Sequence, residues 1–347
     1  MAIGVDEQVN AALAAANAEQ ASPLELAEML MEIAIGLQLK PKSSEDLDAA
    51  IRLYDRGLDL CPPEHQLLAA RIRARKATAL QARPEAGTIS LELAREELGA
   101  AVLVLRSQGQ PEELAEAELN SGLVLQALAG AGKARITDAI AAYQRALRTF
   151  DRNKHPQEYA ILQNNLATAF LSIPFTDERA KMREALAVQA FEEGLRVVNL
   201  IDHPAEYAML QNNLGNALQY ASSSHVIENN LRALEAYDEA LKVRTRDVRP
   251  LEYANTIANK ANCLWNLPDD VTDCQSRAGR NRAEARRLYA EAREIFNAHG
   301  ELDKARIVAE AIDSIEREQL SASAASYGQV DTSAAGPRHS TNGANRK

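Results

Sequence analysis

The chain is poor in aromatic residues: Phe, Trp and Tyr make up 4% of its 347 residues, with a single tryptophan. Strands draw on aromatic and β-branched side chains, whereas the Ala and Leu that dominate the apolar content here favour helix. Cysteine is scarce as well. Cys61, Cys263 and Cys274 are too few, and odd in number, for a disulfide framework, as in a reducing cytoplasm. No run of about 18 apolar residues occurs, so no membrane-spanning helix is expected. The opening Met-Ala-Ile-Gly-Val-Asp-Glu lacks the basic region and apolar stretch of a secretory signal. Positive charge is in the minority, 39 Lys and Arg against 49 Asp and Glu, and the net charge of −10 weighs against nucleic acid as a partner. The six histidines are scattered, and neither zinc-type spacing nor a Ser-His-Asp or Cys-His arrangement stands out. The expectation is a non-catalytic chain without cofactor or metal.

What the sequence has is repetition. His155-Pro156-Gln157-Glu158-Tyr159-Ala160 returns as His203-Pro204-Ala205-Glu206-Tyr207-Ala208 and as Arg249-Pro250-Leu251-Glu252-Tyr253-Ala254, at intervals of 48 and 46 residues. Self-similarity at such a period marks stacked supersecondary units. Traced backwards, Pro111, Pro63 and Pro23 stand ahead of acidic or amide residues and an apolar helical period. Proline suits the first helical turn, and the following acids (Glu25, Glu64, Glu112, Glu158, Glu206, Glu252) suit the positive end of the helix dipole. Each proline is therefore expected to open a helix A.

A second pattern follows each proline: a small residue, an aromatic or Leu four later, and a small residue three beyond. It reads Ala50-Tyr54-Gly57, Ala94-Leu98-Ala101, Ala139-Tyr143-Ala146, Ala187-Phe191-Gly194, Ala233-Tyr237-Ala240 and Ala285-Tyr289-Ala292. These spacings put the three residues on one helical face. Each set marks a helix B packed on its helix A.

The combination resembles the tetratricopeptide repeat, whose helix A carries Leu-Gly and whose helix B carries Ala-x3-Phe-x2-Ala. Leu214-Gly215 matches that pair, Leu166-Ala167 with Phe170 nearly does, Gly122 keeps the glycine, and Ala34, Ala74 and Ala261 take its place elsewhere. The repeats are longer than the usual unit, their first helix-B alanines standing 44, 45, 48, 46 and 52 residues apart. In this, and in the Asn-Asn-Leu-Ala and Asn-Asn-Leu-Gly-Asn phrases, the chain is similar to kinesin light chain and to adaptors with Leu-Gly-Asn repeats. The resemblance implies an all-α, right-handed solenoid of about six helix pairs over 23–298. The pairs would occupy 23–60, 63–106, 111–150, 156–199, 204–246 and 250–298. An Ala-rich arm (1–22), flexible or frayed, precedes them. A capping helix (301–318) with one polar side and a disordered tail (319–347) are expected to follow.

Function is expected on the concave side lined by the A helices. Asn164, Asn212, Asn216, Gln219, Asn255 and Asn262 fall on stripes there, and amides suit the backbone of an extended peptide whatever its sequence. The resembling adaptors use Asn this way. Asn165, Asn213 and Asn259 are assigned instead to fixing repeat geometry, and Tyr159, Tyr207 and Tyr253 to packing between repeats. Trp265 is a candidate anchor for a partner side chain, core packing being the other reading. Arg71 and Arg75, one turn apart, form a basic stripe that would take a carboxylate or phosphate, or else pair with acids nearby. Gly130-Ala131-Gly132-Lys133 partly resembles a phosphate loop but lacks its spacing, its Ser or Thr and its strand. The insertion from Pro268 to Arg282 is a secondary candidate for partner contact. These features point to a cytoplasmic, bacterial scaffold or adaptor that binds a protein or peptide, with neither nucleic acid nor membrane as partner. An accessory factor for a multi-subunit enzyme and a peptide-sensing module are the alternatives.

Overall fold

The structure is a computed structural model that describes residue 14 and residues 21–41, 43–83, 87–173, 178–222, 225–268 and 279–330, the last twelve by backbone alone. Nearly all of the expected N-terminal arm, residues 269–278 of the insertion and residues 331–347 of the expected tail lie outside the described residues. Among the described residues there are thirteen α-helices and no strand. They are α1 (Pro23–Leu39), α2 (Ser44–Leu60), α3 (Gln66–Ala82), α4 (Gly87–Gln108), α5 (Pro111–Gly130), α6 (Ile136–Ala146) and α7 (Pro156–Leu171). There follow α8 (Glu178–Leu195), α9 (Pro204–Gln219), α10 (Val226–Leu241), α11 (Pro250–Trp265), α12 (Arg280–Ala298) and α13 (Leu302–Val330). The fold is an α-solenoid of repeated helix pairs, odd-numbered helices from α1 to α11 being the A helices. Two compact units divide it, residues 1–213 and 214–347, with the boundary inside α9.

Prolines 23, 111, 156, 204 and 250 each stand at the first position of their helix, where a missing N–H costs nothing. Ser22 adds a capping box: the Glu25 N–H donates to Ser22 Oγ at 3.3 Å, and the Ser22 N–H donates to Glu25 Oε2 at 2.8 Å. Pro63 departs from the expectation. It lies in a turn, and α3 opens three residues later at Gln66 with no acid in its first turn. The three-residue offset moves the whole register of α3. Counted from the helix start, the small twelfth residue is Ala34, Gly122, Ala167, Gly215 and Ala261 in the other A helices, and in α3 it is Ala77. Ala77 is fully buried, whereas Ala74 is only partly so. The assignment of Ala74 to that slot is corrected accordingly.

All eighteen residues of the helix-B pattern are buried. Tyr54, Tyr143, Phe191 and Tyr237 are wholly shielded from solvent, and Tyr289 is 5% exposed. In unit 1, helices next to each other in sequence pack together, and α1 also touches α3, α3 touches α5, and α5 touches α7, so the A helices form one continuous side. Beside Tyr143 and Tyr237, glycine in helix A makes room: a Cβ on Gly215 would stand 2.6 Å from Tyr237 Cε1, and one on Gly122 would overlap the Tyr143 ring.

In unit 2 a core of α11, α12 and α13 contains Ile257, Leu264, Tyr289, Ile295, Phe296, Val308, Ile312 and Ile315. Gly300, at φ +75°, turns the chain from α12 into α13, a conformation L side chains rarely adopt. This last helix covers the end of the array. It runs on to Val330, past the expected end at 318, through a Ser-Ala segment that holds no proline and only one glycine, Gly328.

Candidate functional site

On the A-helix side of unit 1, the sequence's basic stripe is already engaged. Arg71 Nε and Nη2 donate to Glu113 Oε1 and Oε2 at 2.6 and 3.3 Å, and Arg75 Nη1 donates to Glu116 Oε1 at 3.1 Å. Both pairs run from α3 to α5, the next A helix, and flank a cleft floored by Ala74, Leu105 and Ala117, with Asn120 at its side. The Arg71 guanidinium holds the Glu113 carboxyl below the usual carboxylate range. Arg73 and Lys76 turn the other way, to Glu97 of α4 at 2.6 and 2.7 Å. Burial works against the Lys76 charge, but hydrogen bonds with Asp55 and Glu97 outweigh it and raise its pKa. The stripe is thus two sets of ion pairs, not a free cationic receptor.

Asn164 and Asn212, assigned to a ligand on sequence, are buried, with 6% and 7% of their surface exposed. They belong to a ladder of amides between α7 and α9. Asn212 Nδ2 donates to Asn213 Oδ1 at 3.1 Å, Asn213 Nδ2 to Asn164 Oδ1 at 2.8 Å, and Asn164 Nδ2 to Asn165 Oδ1 at 3.2 Å. A buried amide must find partners for both its ends, and here each supplies the next. Both Asn pairs serve the joint between repeats, and the amides of Asn164 and Asn212, expected on a ligand, are bonded within it.

A second set of polar contacts was not anticipated. Tyr54 Oη donates to Gln38 Oε1 at 2.8 Å, Gln38 Nε2 donates to Thr78 Oγ1 at 2.6 Å, and that hydroxyl donates to Arg75 O at 2.8 Å. Two repeats on, Tyr143 Oη donates to Gln126 Oε1 at 2.8 Å, Gln126 Nε2 to Thr168 Oγ1 at 3.2 Å, and Thr168 Oγ1 to Asn165 O at 2.9 Å. The glutamine is always residue sixteen of its A helix, and the threonine residue thirteen of the next. Aligning the repeats from their helix starts, not from their prolines, would have exposed the pattern.

In unit 2 the same places hold Gln219 and Asn262, and the relay changes. Tyr237 Oη lies 2.8 Å from Asn216 Oδ1 and 2.9 Å from Gln219 Oε1. Gln219 Nε2 is shielded from solvent and has no hydrogen-bond partner among the described residues. Asn262 Nδ2 donates instead to Oη of Tyr220, a side chain that is 69% exposed. Asn255 is partly exposed and has no hydrogen-bond partner among the described residues. Trp265 packs against the unit-2 core and donates from Nε1 to Glu318 Oε2 of α13 at 3.2 Å. Its indole N–H is therefore spent on the capping helix. Tyr253 also packs on this core and donates to Glu291 Oε1 at 3.0 Å.

The remaining motifs resolve into structure. Lys133 N–H donates to Leu128 O at 2.8 Å and Gly132 takes φ +72°, a helix C-terminal turn in place of a phosphate cradle. The Lys133 ammonium is on Glu92 at 2.7 Å. Cys263 is buried against Asn230, and burial pushes its thiol up to about 12. Among the described residues no three His, Cys, Asp or Glu side chains stand together as metal ligands, and no helix is long and apolar enough to cross a membrane.

The chain matches no protein-family model, and no curated protein matches it in sequence. Among solved structures it is similar to a signal transduction ATPase with numerous domains from Pyrococcus horikoshii, which carries a tetratricopeptide repeat sensor. The two share 15% sequence identity at a TM-score of 0.58, over 88% of this chain and 42% of that one. At that identity the likeness speaks to fold alone: the chain is built of tetratricopeptide-like helix pairs.

Proposed function

We propose that the chain is a non-catalytic scaffold or adaptor that holds an extended protein segment along its A helices. The observation that carries this reading is the state of the amides in unit 2. Asn255 has no hydrogen-bond partner among the described residues, and Asn262 rests on the hydroxyl of an exposed tyrosine, Tyr220. Asparagine is a mediocre helix former, and no joint between repeats explains Asn255, while the bond of Asn262 to the next repeat ends on an exposed side chain. Two such amides, with Tyr220 as an aromatic contact, suit a peptide backbone and one of its side chains. In unit 1 the Arg71–Glu113 and Arg75–Glu116 pairs offer both signs of charge to a partner at the rim of one cleft. The finer likeness to long-repeat adaptors, and a cytoplasmic, bacterial setting, belong to the same proposal. The oligomeric state is left open by it.

The test is affinity capture with the full chain, cross-linking to locate contacts, and repetition with N255A/N262A. The proposal expects a stoichiometric protein cross-linked to α9 and α11, lost in the double variant at unchanged melting temperature. Capture that ignores both substitutions would overturn it.

A sensing module is the second reading, favoured by the similar structure, whose repeats form a sensor. Under it the ligand is peptide-sized and changes the scattering profile of the chain on binding. An accessory role toward a multi-subunit enzyme would appear in the same capture as several subunits of one complex.

A further inference from the structure

At three successive junctions between repeats, the residues six before and six after the opening proline are buried and apolar. They are Leu105 and Ala117 around Pro111, Phe150 and Leu162 around Pro156, and Val198 and Leu210 around Pro204, none more than 6% exposed. Around Pro250 the same two places hold Arg244 and Thr256. The residue just before the proline changes as well. His155 packs edge-on against Phe150 at 5.2 Å, and Arg249 takes its position. Two guanidinium groups therefore occupy a junction that around Pro156 and Pro204 carries an apolar side chain and an imidazole.

The charge of Arg244 is poorly answered. Its Nη1 donates to Thr256 Oγ1 at 3.0 Å, and that hydroxyl, itself fully buried, donates on to Glu252 O at 2.9 Å. Thr256 is the sole acceptor for Arg244 among the described residues, so four of five N–H donors remain. The Glu252 carboxylate, whose charge favours that of Arg244, is hydrogen-bonded by Arg249 at 3.2 and 3.5 Å. Arg246 is drawn to Glu291 and Glu294, at 3.7 and 3.9 Å. Burial opposes the Arg244 charge most, the Glu252 carboxylate favours it in part, and the like charge of Arg249 opposes it, so that its pKa is lowered. By contrast Arg145, which is also partly buried, has a bidentate partner in Glu118 at 2.8 and 2.7 Å. A partly desolvated guanidinium is costly without an anion, and its planar fork fits two oxygens of one group.

We infer that Arg244 and Arg249 form an oxyanion subsite at the junction of α10 and α11, taking a carboxylate or a phosphate. Thr256 fixes the Arg244 fork by holding one of its nitrogens, and Arg249 supplies the second cation. The site is independent of the amides of Asn255 and Asn262, and either reading can fail without the other.

The full chain is titrated with inorganic phosphate and, separately, with acetate, chloride keeping the ionic strength constant. Binding is read from the arginine Nε–H resonances and from the melting temperature. A saturable shift of the Arg244 signal is expected. R249A should weaken it about tenfold, which corresponds to ~1.4 kcal/mol. R244V/T256L, which restores the Val198–Leu210 pairing of the preceding junction, should fold, melt no lower than the parent and lose the anion-dependent rise in melting temperature. A response to phosphate alone assigns the site to phosphate, and a response to both assigns it to carboxylates as well. No saturable shift with either anion overturns the inference, and so does an equal rise in melting temperature in R244V/T256L.

Discussion

Tyr143 of helix α6 donates its hydroxyl to Gln126 of helix α5, and Gln126 in turn donates its amide to Thr168 of α7. One buried phenol thereby ties its own helix pair to the next, through a side chain that satisfies both neighbours. Burial raises the Tyr143 pKa well above the usual tyrosine value, so the hydroxyl remains a donor throughout the physiological range.

Removing that hydroxyl should be felt in stability alone. Y143F strands Gln126 Oε1 in a partly buried place, which costs about 1–3 kcal/mol. Thermal melting should fall by several degrees while capture of a partner by folded protein is unchanged. A melting curve that superimposes on the parent's would show the bond to be dispensable.

Two glycine substitutions should move in opposite directions. G36A, where an added Cβ meets nothing within 4 Å in mid-helix, should stabilise by about 0.4–1 kcal/mol. G215A should destabilise by roughly 1–3 kcal/mol, because its Cβ meets the Tyr237 ring and overpacking outweighs the gain in helix propensity. Chemical denaturation of the two variants beside the parent checks the sign of each.

The amide ladder makes a coupled prediction. N164A and N213A should each destabilise by about 1–3 kcal/mol, since each strands a partner amide. The double variant should cost less than the sum, with a coupling of about 0.5 kcal/mol or more, which a double-mutant cycle reads directly. Strict additivity would mean that the two side chains do not meet.

Acid should loosen the α3–α5 contact in particular. Glu113 has its pKa lowered, chiefly by the hydrogen bond from Arg71, so its contribution is complete above the ordinary carboxylate value of 4.5 and is lost as pH falls through the lowered one. The melting temperature of the parent should therefore drop more steeply below about pH 4.5 than that of E113Q, which is lower at neutral pH and flatter in acid. Parallel curves for the two proteins would remove Glu113 from the acid transition.

The architecture was legible in the sequence because helix B repeats a pattern that tolerates little variation. Alanine or glycine at both ends and a large residue between them can be read without knowing what they pack on. Register within helix A was less legible. Proline marks the helix start in five repeats, but Pro63 lies in a turn, and only the three-dimensional path shows Gln66 taking its place. The site residues were harder still, because amide side chains serve a ligand and a repeat joint with the same groups. Asn164 and Asn262 both sit on the A-helix stripe, and only the partner that each one meets separates them. Arg71 likewise reads as basic until Glu113, 42 residues on, is seen to close on it.

The Tyr–Gln–Thr relay has a consequence for how such an array can grow or shrink. In residues 23–171 the tyrosine and glutamine come from repeats one and three and the threonine from repeats two and four, so the repeating element is a doublet. Deleting repeat two would set Gln38 against repeat three, whose thirteenth helix-A residue is Leu123, and would leave the amide without an acceptor. Deleting repeats two and three together would bring Thr168 into that place and preserve the match. Length in this part of the chain is thus constrained by parity, and insertions or losses of even number are the ones its hydrogen bonds allow.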